Sequence, residues 1–315
     1  MQQIKNDNQF KNKMIYDNIV RYSFLIVAIL SASTIIITAI FIFIKGISPF
    51  VNSYEITHNG VTANYRVNFF SFLGGTSWFS PPNKYSIGFI IINTIWVVLW
   101  AVIIAVPVSV LTALFVTRIA PKPISMAVTY IIEMLASIPS IIYGLFGMGV
   151  ITRFVKSISG VFGYQSAGGL SMLAAALVLA IMIIPTITLL SITAIKAVRD
   201  DQINASLALG ASPTQTNFKI VLRAAKSGIF SGIILGVGRA LGEATAVSMV
   251  AGNAGSGPNF NPFGLTRTLT STMLMGIKET TGLDYDIRFS VGLVLIVIIL
   301  LSNALLNFAK KKVAQ

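Results

Sequence analysis

The chain has 315 residues, 55% of them hydrophobic and 10% charged, with a mean hydropathy of +0.81 and a formal net charge of +13. This composition excludes a soluble globular fold and describes a polytopic membrane protein. The lack of cysteine excludes disulfides and thiolate metal sites, the single histidine, His58, excludes a histidine-built metal or haem centre, and basic residues scattered through short loops exclude the continuous patch that nucleic acid requires.

Residues 1–18, rich in Asn, Lys and Gln, are expected to form a flexible cytoplasmic tail. The apolar run 19–44 exceeds the roughly 7 to 15 residues of a signal-peptide core and lacks a small-residue cleavage site, so it reads as the first transmembrane helix. Residues 45–86 make a long polar loop, with His58 solvated, a turn at Pro81-Pro82, and Tyr54, Tyr65, Trp78 and Tyr85 suited to a membrane interface. This loop is expected on the extracytoplasmic side. The second span, 87–116, is long enough to tilt or kink, and Pro107 is its kink site. After a short inside turn at 118–125, the third span, 126–151, carries Glu133 on the cytoplasmic side of its centre. It also carries Pro139, which frees a backbone carbonyl for a neighbouring hydroxyl or for the water shell of an anion. Ser137 and Ser140 add hydroxyls that serve either the broken helix or a substrate. An outer connection at 153–169 leads to the fourth span, 170–195, which contains Pro185 and ends at Lys196 and Arg199 inside.

Within the polar segment 196–227, Ala205 to Leu209 favours a short helix, Gly210 permits a sharp turn, and Ser212-Pro213 is the cap and first residue of a second helix. Such a unit is a rigid knob for a partner or an ordinary amphipathic loop. Gly228 to Val250 then makes about 35 Å of helix at roughly 1.5 Å per residue, enough to cross a bilayer core of about 30 Å with some tilt. Arg239 lies at its middle. A charge there costs roughly 2.5 to 3.5 kcal/mol even on the lenient insertion scale, so the guanidinium must face protein or water. Glu243, one turn later, is expected to pair with Arg239 on the same face, as a functional pair or a structural staple. Gly228, Gly232 and Gly236, followed by Gly238 and Gly242, allow another helix to approach closely. Residues 251–288 form a second long outer loop with an amphipathic stretch at 265–277. The last span, 289–308, ends in Lys310-Lys311-Lys312, which anchors a cytoplasmic tail at 309–315. Six spans, five of them in a core at 87–308, put both termini on one side. Lys and Arg are more numerous there, which makes that side the cytoplasm.

The run Asn204-Ala205-Ser206-Leu207-Ala208-Leu209-Gly210, followed after nine residues by Ile220-Val221-Leu222-Arg223, resembles the coupling loop of ABC importer permeases. That pattern is Glu-Ala-Ala, three residues, Gly, nine residues, Ile-x-Leu-Pro. Ala205, Gly210, Ile220 and Leu222 match, while Asn204 stands for Glu, Ser206 for Ala and Arg223 for Pro. Gly238-Arg239-Ala240-Leu241-Gly242-Glu243-Ala244 and Glu133-Met134-Leu135-Ala136-Ser137-Ile138-Pro139-Ser140-Ile141-Ile142-Tyr143-Gly144 resemble signature segments of the phosphate ABC transporter permeases, the PstC type more than its PstA partner. The similarity runs from about Gly74 to the C-terminus.

The resemblance implies an all-α integral membrane protein with six transmembrane helices and the type I ABC importer permease fold, in the cytoplasmic membrane of a prokaryote. It implies as partners a homologous second permease, an ABC ATPase dimer that holds ATP and Mg, and an extracytoplasmic phosphate-binding protein, with inorganic phosphate as cargo. Of this chain itself it implies neither catalysis nor a bound cofactor or metal. The sequence has no Gly-x-x-x-x-Gly-Lys-Ser/Thr phosphate cradle, so conventional P-loop ATP hydrolysis needs a separate subunit. On this reading Arg239, Glu243, Glu133, Ser137 and Ser140 belong to the substrate pathway. Asn204, Ala205, Ser206, Gly210, Ile220, Leu222 and Arg223 couple to the ATPase, and Gly228, Gly232, Gly236, Gly238 and Gly242 pack helices. The residues alone also fit a permease for another oxyanion, a secondary transporter relaying protons through Glu133 and Glu243, or a membrane scaffold or sensor.

Overall fold

No glycine or proline interrupts the chain between Gln2 and Lys45, and one helix, α1 (Gln2–Val51), runs through it in the computed structural model, which describes residues 2–58, 61–79 and 84–314. The segment expected to be a flexible tail is therefore helical from Gln2, in keeping with the good helix propensity of its Gln and Lys residues. A hairpin follows, β1 (Tyr54–His58) antiparallel to β2 (Val61–Tyr65) with Tyr54 opposite Tyr65. Then come α2 (Phe69–Gly74), capped by the Asn68 side chain, and the short antiparallel pair β3 (Trp78–Phe79) and β4 (Lys84–Tyr85). The Pro81-Pro82 turn and the side chain of His58 lie outside the described residues.

The second crossing is α3 (Gly88–Leu114), extended by a π-helical turn to Ile119; Pro107 lies inside it without ending it. The third differs from the single span expected at 126–151. Pro139 has no amide hydrogen and forces the preceding Ile138 into an extended conformation, so the chain forms α4 (Lys122–Ser137), a break, and α5 (Ser140–Phe146). A π-turn at 147–151 joins α5 to α6 (Thr152–Val161), and it is Ser140–Val161 that is long and apolar enough to cross a membrane. After α7 (Met172–Lys196) come the short helices α8 (Asp200–Ala208) and α9 (Pro213–Gln215), then a π segment, Thr216–Val221.

The fifth crossing, α10 (Leu222–Gly242), stops before the expected limit at Val250: Glu243 is extended, and a separate short helix, α11 (Thr245–Val250), follows. A buried single-turn helix, α12 (Leu269–Leu274), replaces the longer amphipathic stretch expected at 265–277, and α13 (Leu283–Ala314) closes the fold. Its helix continues through the Lys-rich end expected to be a tail, a run of good helix formers.

Among the described residues, six helical stretches have the length and apolarity to span a membrane. α7 is the central one, packed between α3 and α10, and its Ala174, Ala175, Ala176 and Ala180 are fully buried, which lets the neighbouring backbones come close. α1 exposes its apolar surface along most of its length and meets α13 near its end. There Phe41 lies edge-on to Phe289 at 5.5 Å, and the Ser290 hydroxyl donates to the Gly46 carbonyl at 2.6 Å.

The loop between α1 and α3 is a folded cap rather than a surface film. Trp78 and Tyr85, expected at the membrane interface, are buried against each other at 5.3 Å, in a core with Phe72, Ile87, Leu269 and Ile287. Asp286, 6% exposed, ties this cap to α1: Lys45 pairs with it at 3.1 Å and the Tyr54 hydroxyl donates to it at 2.7 Å. Burial pushes the Tyr54 phenol up to about 12, with the Asp286 carboxylate adding to the shift and a hydrogen bond with Ser48 opposing it.

Candidate functional site

Two regions carry the candidate residues: a polar knob at the end of the bundle that bears the termini, and a pocket in the membrane-spanning part around Arg239. The knob is built by local chemistry. α8 ends at Ala208, and Gly210 takes φ +84°, a conformation strained for any L side chain. Ser212 then caps α9 in a full capping box, its hydroxyl accepting from the Gln215 amide at 3.2 Å while the Gln215 side chain accepts from the Ser212 amide at 3.0 Å. Ser206 joins the two arms through Thr216, hydroxyl to hydroxyl, at 3.0 Å.

Beneath these bonds, Ile203 and Val221 are buried with Ile192, Ile195 and Leu114, which seats the knob on α3 and α7. Asn204, Ala205, Gly210 and Arg223 are exposed, and Ile220 and Leu222 are half-buried. Three apolar side chains that sequence reasoning passed over stand in the open beside them: Leu207, Phe218 and Leu209, the last 89% exposed. Leucine and phenylalanine in an otherwise polar loop are the signal that could have marked them.

Arg239 does not pair with Glu243. The helix that would stack them one turn apart ends at Gly242, so the two side chains diverge. The Arg239 guanidinium donates through Nη1 to the Thr186 hydroxyl of α7 at 2.9 Å. Glu243 instead turns to the next helix, its carboxylate accepting from the Ala246 amide at 3.0 Å, while its backbone carbonyl accepts from the Thr270 hydroxyl at 2.7 Å. Arg239 borders a pocket of about 550 Å³ between α7, α10 and α13, lined by Thr186, Ile234, Leu235, Gly238, Asn303 and Asn307. Thr186, Asn303 and Asn307 were not anticipated. The two asparagines are one turn apart in an apolar helix, and that is the pattern that could have revealed them.

Glu133, Ser137 and Ser140 do not line this pocket. Glu133 and Ser137 are exposed on α4 and Ser140 is half-buried at the start of α5. The Ser137 hydroxyl donates back to the Met134 carbonyl at 2.7 Å, the role of a residue satisfying a broken helix. The carbonyl that Pro139 deprives of its usual donor is that of Leu135, and the hydroxyl of Tyr143 donates to it at 2.7 Å. Gly144, next to Tyr143, brings α5 against Ala246 of α11. The two broken helices therefore meet at their breaks.

The expected glycine ladder divides in two. An added Cβ would come within 2.5 Å of Ala194 at Gly228, 3.1 Å of Leu190 at Gly232 and 2.8 Å of Ile187 at Gly236, so these three seat α10 on α7. Gly242 has nothing within 4 Å and Gly238 meets only Asn303 Oδ1 at 3.9 Å, so neither is a packing residue within this chain.

Residues 105–315 match the family of binding-protein-dependent transport system inner membrane components. A probable ABC transporter permease protein, YqgH of Bacillus subtilis, is 33% identical over 90% of this chain and 87% of its own length. The phosphate transport system permease protein PstC of Pasteurella multocida is 35% identical, with 73% of this chain and 76% of that protein covered. Among solved structures, an inward-facing MetNI methionine ABC transporter matches with a TM-score of 0.52 and 20% identity, covering 73% of this chain and 94% of the other. A bacterial alginate ABC transporter in complex with an alginate-bound periplasmic protein matches with a TM-score of 0.52 and 15% identity, covering 72% and 79%. At these identities the structural likeness speaks to the fold alone, which is that of the type I ABC importer permeases.

Proposed function

We infer that this chain, which belongs to the family of binding-protein-dependent transport system inner membrane components, is a permease subunit of an ATP-driven importer of inorganic phosphate. It works with a homologous second permease, an ATPase dimer that binds ATP and Mg, and a phosphate-binding protein on the far side of the membrane. The relatives named PstC support phosphate as the cargo. In this reading the knob and both termini face the cytoplasm, in line with the Lys- and Arg-rich ends of the spans. This chain hydrolyses nothing itself.

The observation that carries the reading is Arg239, a cation in the last turn of a spanning helix rather than at its middle, bordering a pocket that holds Thr186, Asn303 and Asn307 among apolar side chains and bound to a neutral hydroxyl rather than to a carboxylate. Its charge is left to attract a multiply charged oxyanion, which a guanidinium holds through several donors in a low-dielectric passage. Glu243 acts nearby as the cap of α11 and adds a negative field that limits how tightly the anion binds, since cargo must also leave. The exposed Leu207, Leu209 and Phe218 give the ATPase an apolar surface to grip, and the capped, hydroxyl-tied knob is rigid enough to pass a displacement to α10.

The test is phosphate uptake and ATP hydrolysis by the complete complex in lipid vesicles, with and without phosphate-loaded binding protein. Native complex should respond to loaded binding protein in both. Arg239→Gln should abolish uptake with assembly intact. Normal uptake in that variant, or gradient-driven uptake without the ATPase, would overturn the reading.

A further inference from the structure

The pocket beside Arg239 continues toward the end of the bundle that bears the termini. α10 and α13 run in opposite directions, so Ile234 and Leu235 precede Arg239 on one wall while Asn303 and then Asn307 descend the other. A carboxamide inside a membrane span is costly unless it has a polar partner. Asn303 is half-buried and Asn307 exposed as α13 approaches its Lys-rich end; neither side chain has a hydrogen-bond partner among the described residues, and both border the pocket. Gly238 keeps the space in front of Asn303 open, since a side chain there would project toward the amide and no packing contact requires the glycine.

We propose that Asn303 and Asn307 bind the oxyanion in transit, as successive contacts between Arg239 and the cytoplasmic exit. This rests on the reading of the chain as a phosphate permease with Arg239 on the pathway. A carboxamide suits the task because it offers two N–H donors to the anionic oxygens and one carbonyl acceptor. Phosphate near neutral pH still carries an O–H that needs such an acceptor. Being uncharged, the amides also hold the anion less firmly than a second arginine would, which favours onward movement. The alternative for polar residues on a membrane helix is to hydrogen-bond a neighbouring subunit.

The experiment is reconstitution of the full importer with phosphate-loaded binding protein, measuring labelled phosphate moved and ATP hydrolysed in the same vesicles. In N303L/N307L, stimulation of ATP hydrolysis should stay within about twofold of native, because neither residue belongs to the knob. Phosphate moved per ATP should fall at least about tenfold, the effect of losing a hydrogen bond to a charged partner. Gly238→Val, which fills the pocket but spares the amides, should produce the same uncoupling. An unchanged ratio of phosphate to ATP in N303L/N307L overturns the proposal. So does loss of assembly in N303L/N307L together with a native ratio in the smaller, still polar N303S/N307S, since the asparagines would then be serving subunit packing. If Arg239→Gln blocks uptake while both asparagine variants transport normally, only this inference fails. If Arg239→Gln also transports normally, the functional reading fails and takes this inference with it.

Discussion

Replacing Gly228 by alanine is the sharpest test of how α10 is seated. The new Cβ would lie 2.5 Å from the Ala194 Cβ on α7, and that atom belongs to a side chain with no rotamer to move away. Ordinary carbon contacts are about 3.5 to 4.0 Å, so the helices must separate by about 1 Å or more at this point. Overpacking of this kind costs about 1 to 3 kcal/mol. Gly242→Ala is the control, since nothing lies within 4 Å of its added Cβ. The assay is the unfolding midpoint of the purified complex at a fixed scan rate, because a protein of this type unfolds irreversibly. Gly228→Ala should melt several degrees below native and Gly242→Ala close to it. Adding Ala194→Gly to Gly228→Ala should recover most of the loss, a coupling expected only of groups in contact. A Gly228→Ala variant as stable as native, or a second substitution that deepens the loss, would refute the close seating of α10 on α7.

Gly210→Ala places a side chain at φ +84° with nothing within 4 Å, so its cost, about 1 to 2 kcal/mol, comes from backbone strain alone. It should blunt the ATPase response to loaded binding protein more than Gly210→Asn does, and equal responses in the two would show that the turn's geometry is immaterial. Tyr143→Phe leaves the Leu135 carbonyl with only the 3.3 Å bond from the Ile138 amide, and should cost about 1 to 3 kcal/mol of stability. Pro139→Ala, which returns an amide donor, should offset part of that loss in the same melting assay. Tyr54→Phe removes the donor to the buried Asp286 and should lower stability by about 1 kcal/mol near neutral pH. Because the folded phenol is raised to about 12, its contribution is complete below pH 10 and fades toward pH 12, so the gap between native and variant should close over that window. Glu243→Gln keeps an acceptor for the Ala246 amide, so it should retain the stability that Glu243→Ala loses, about 0.5 to 2 kcal/mol; equal melting of the two would remove the capping role.

What could be read from the sequence follows how local each determinant is. The turn of the knob was legible because Gly210, Ser212, Pro213 and Gln215 fix it within a few residues, whereas the tie between Ser206 and Thr216, the seat of Ile203 and Val221 and the exposed Leu207, Leu209 and Phe218 depend on the fold. Pro139 marked its break at the right residue for the same reason, yet not that the crossing lies wholly beyond it, because that depends on where α4 packs. The break after Gly242 has no proline to announce it. It is held by groups that are close only in the folded chain, the Thr270 hydroxyl among them, and missing it led directly to the expected Arg239–Glu243 pair. The ladder Gly228, Gly232, Gly236 was legible as a stripe, whereas Gly238 and Gly242 differ from it only through what the fold puts opposite them. Asn303 and Asn307 were visible letters in an apolar run, but their meaning needed α10 and α13 to be brought side by side.

One helix joins the two regions. α10 begins at Leu222, at the base of the knob, and reaches Arg239 about 25 Å later at 1.5 Å per residue. Over that length it is seated on α7 through Gly228, Gly232 and Gly236 and tied to it again by the bond from Arg239 to Thr186, so the two helices form one stiff pair. Beyond Gly242 the backbone leaves the helix, and α11 packs instead on α5 through Ala246 and Gly144. In the proposed mechanism a displacement at the knob passes along this pair toward the Arg239 pocket, and the first non-helical residues it meets are Glu243 and Ala244. The cation stands in the last turn before the backbone leaves the helix, so in that mechanism a movement of the knob would change what Arg239 faces.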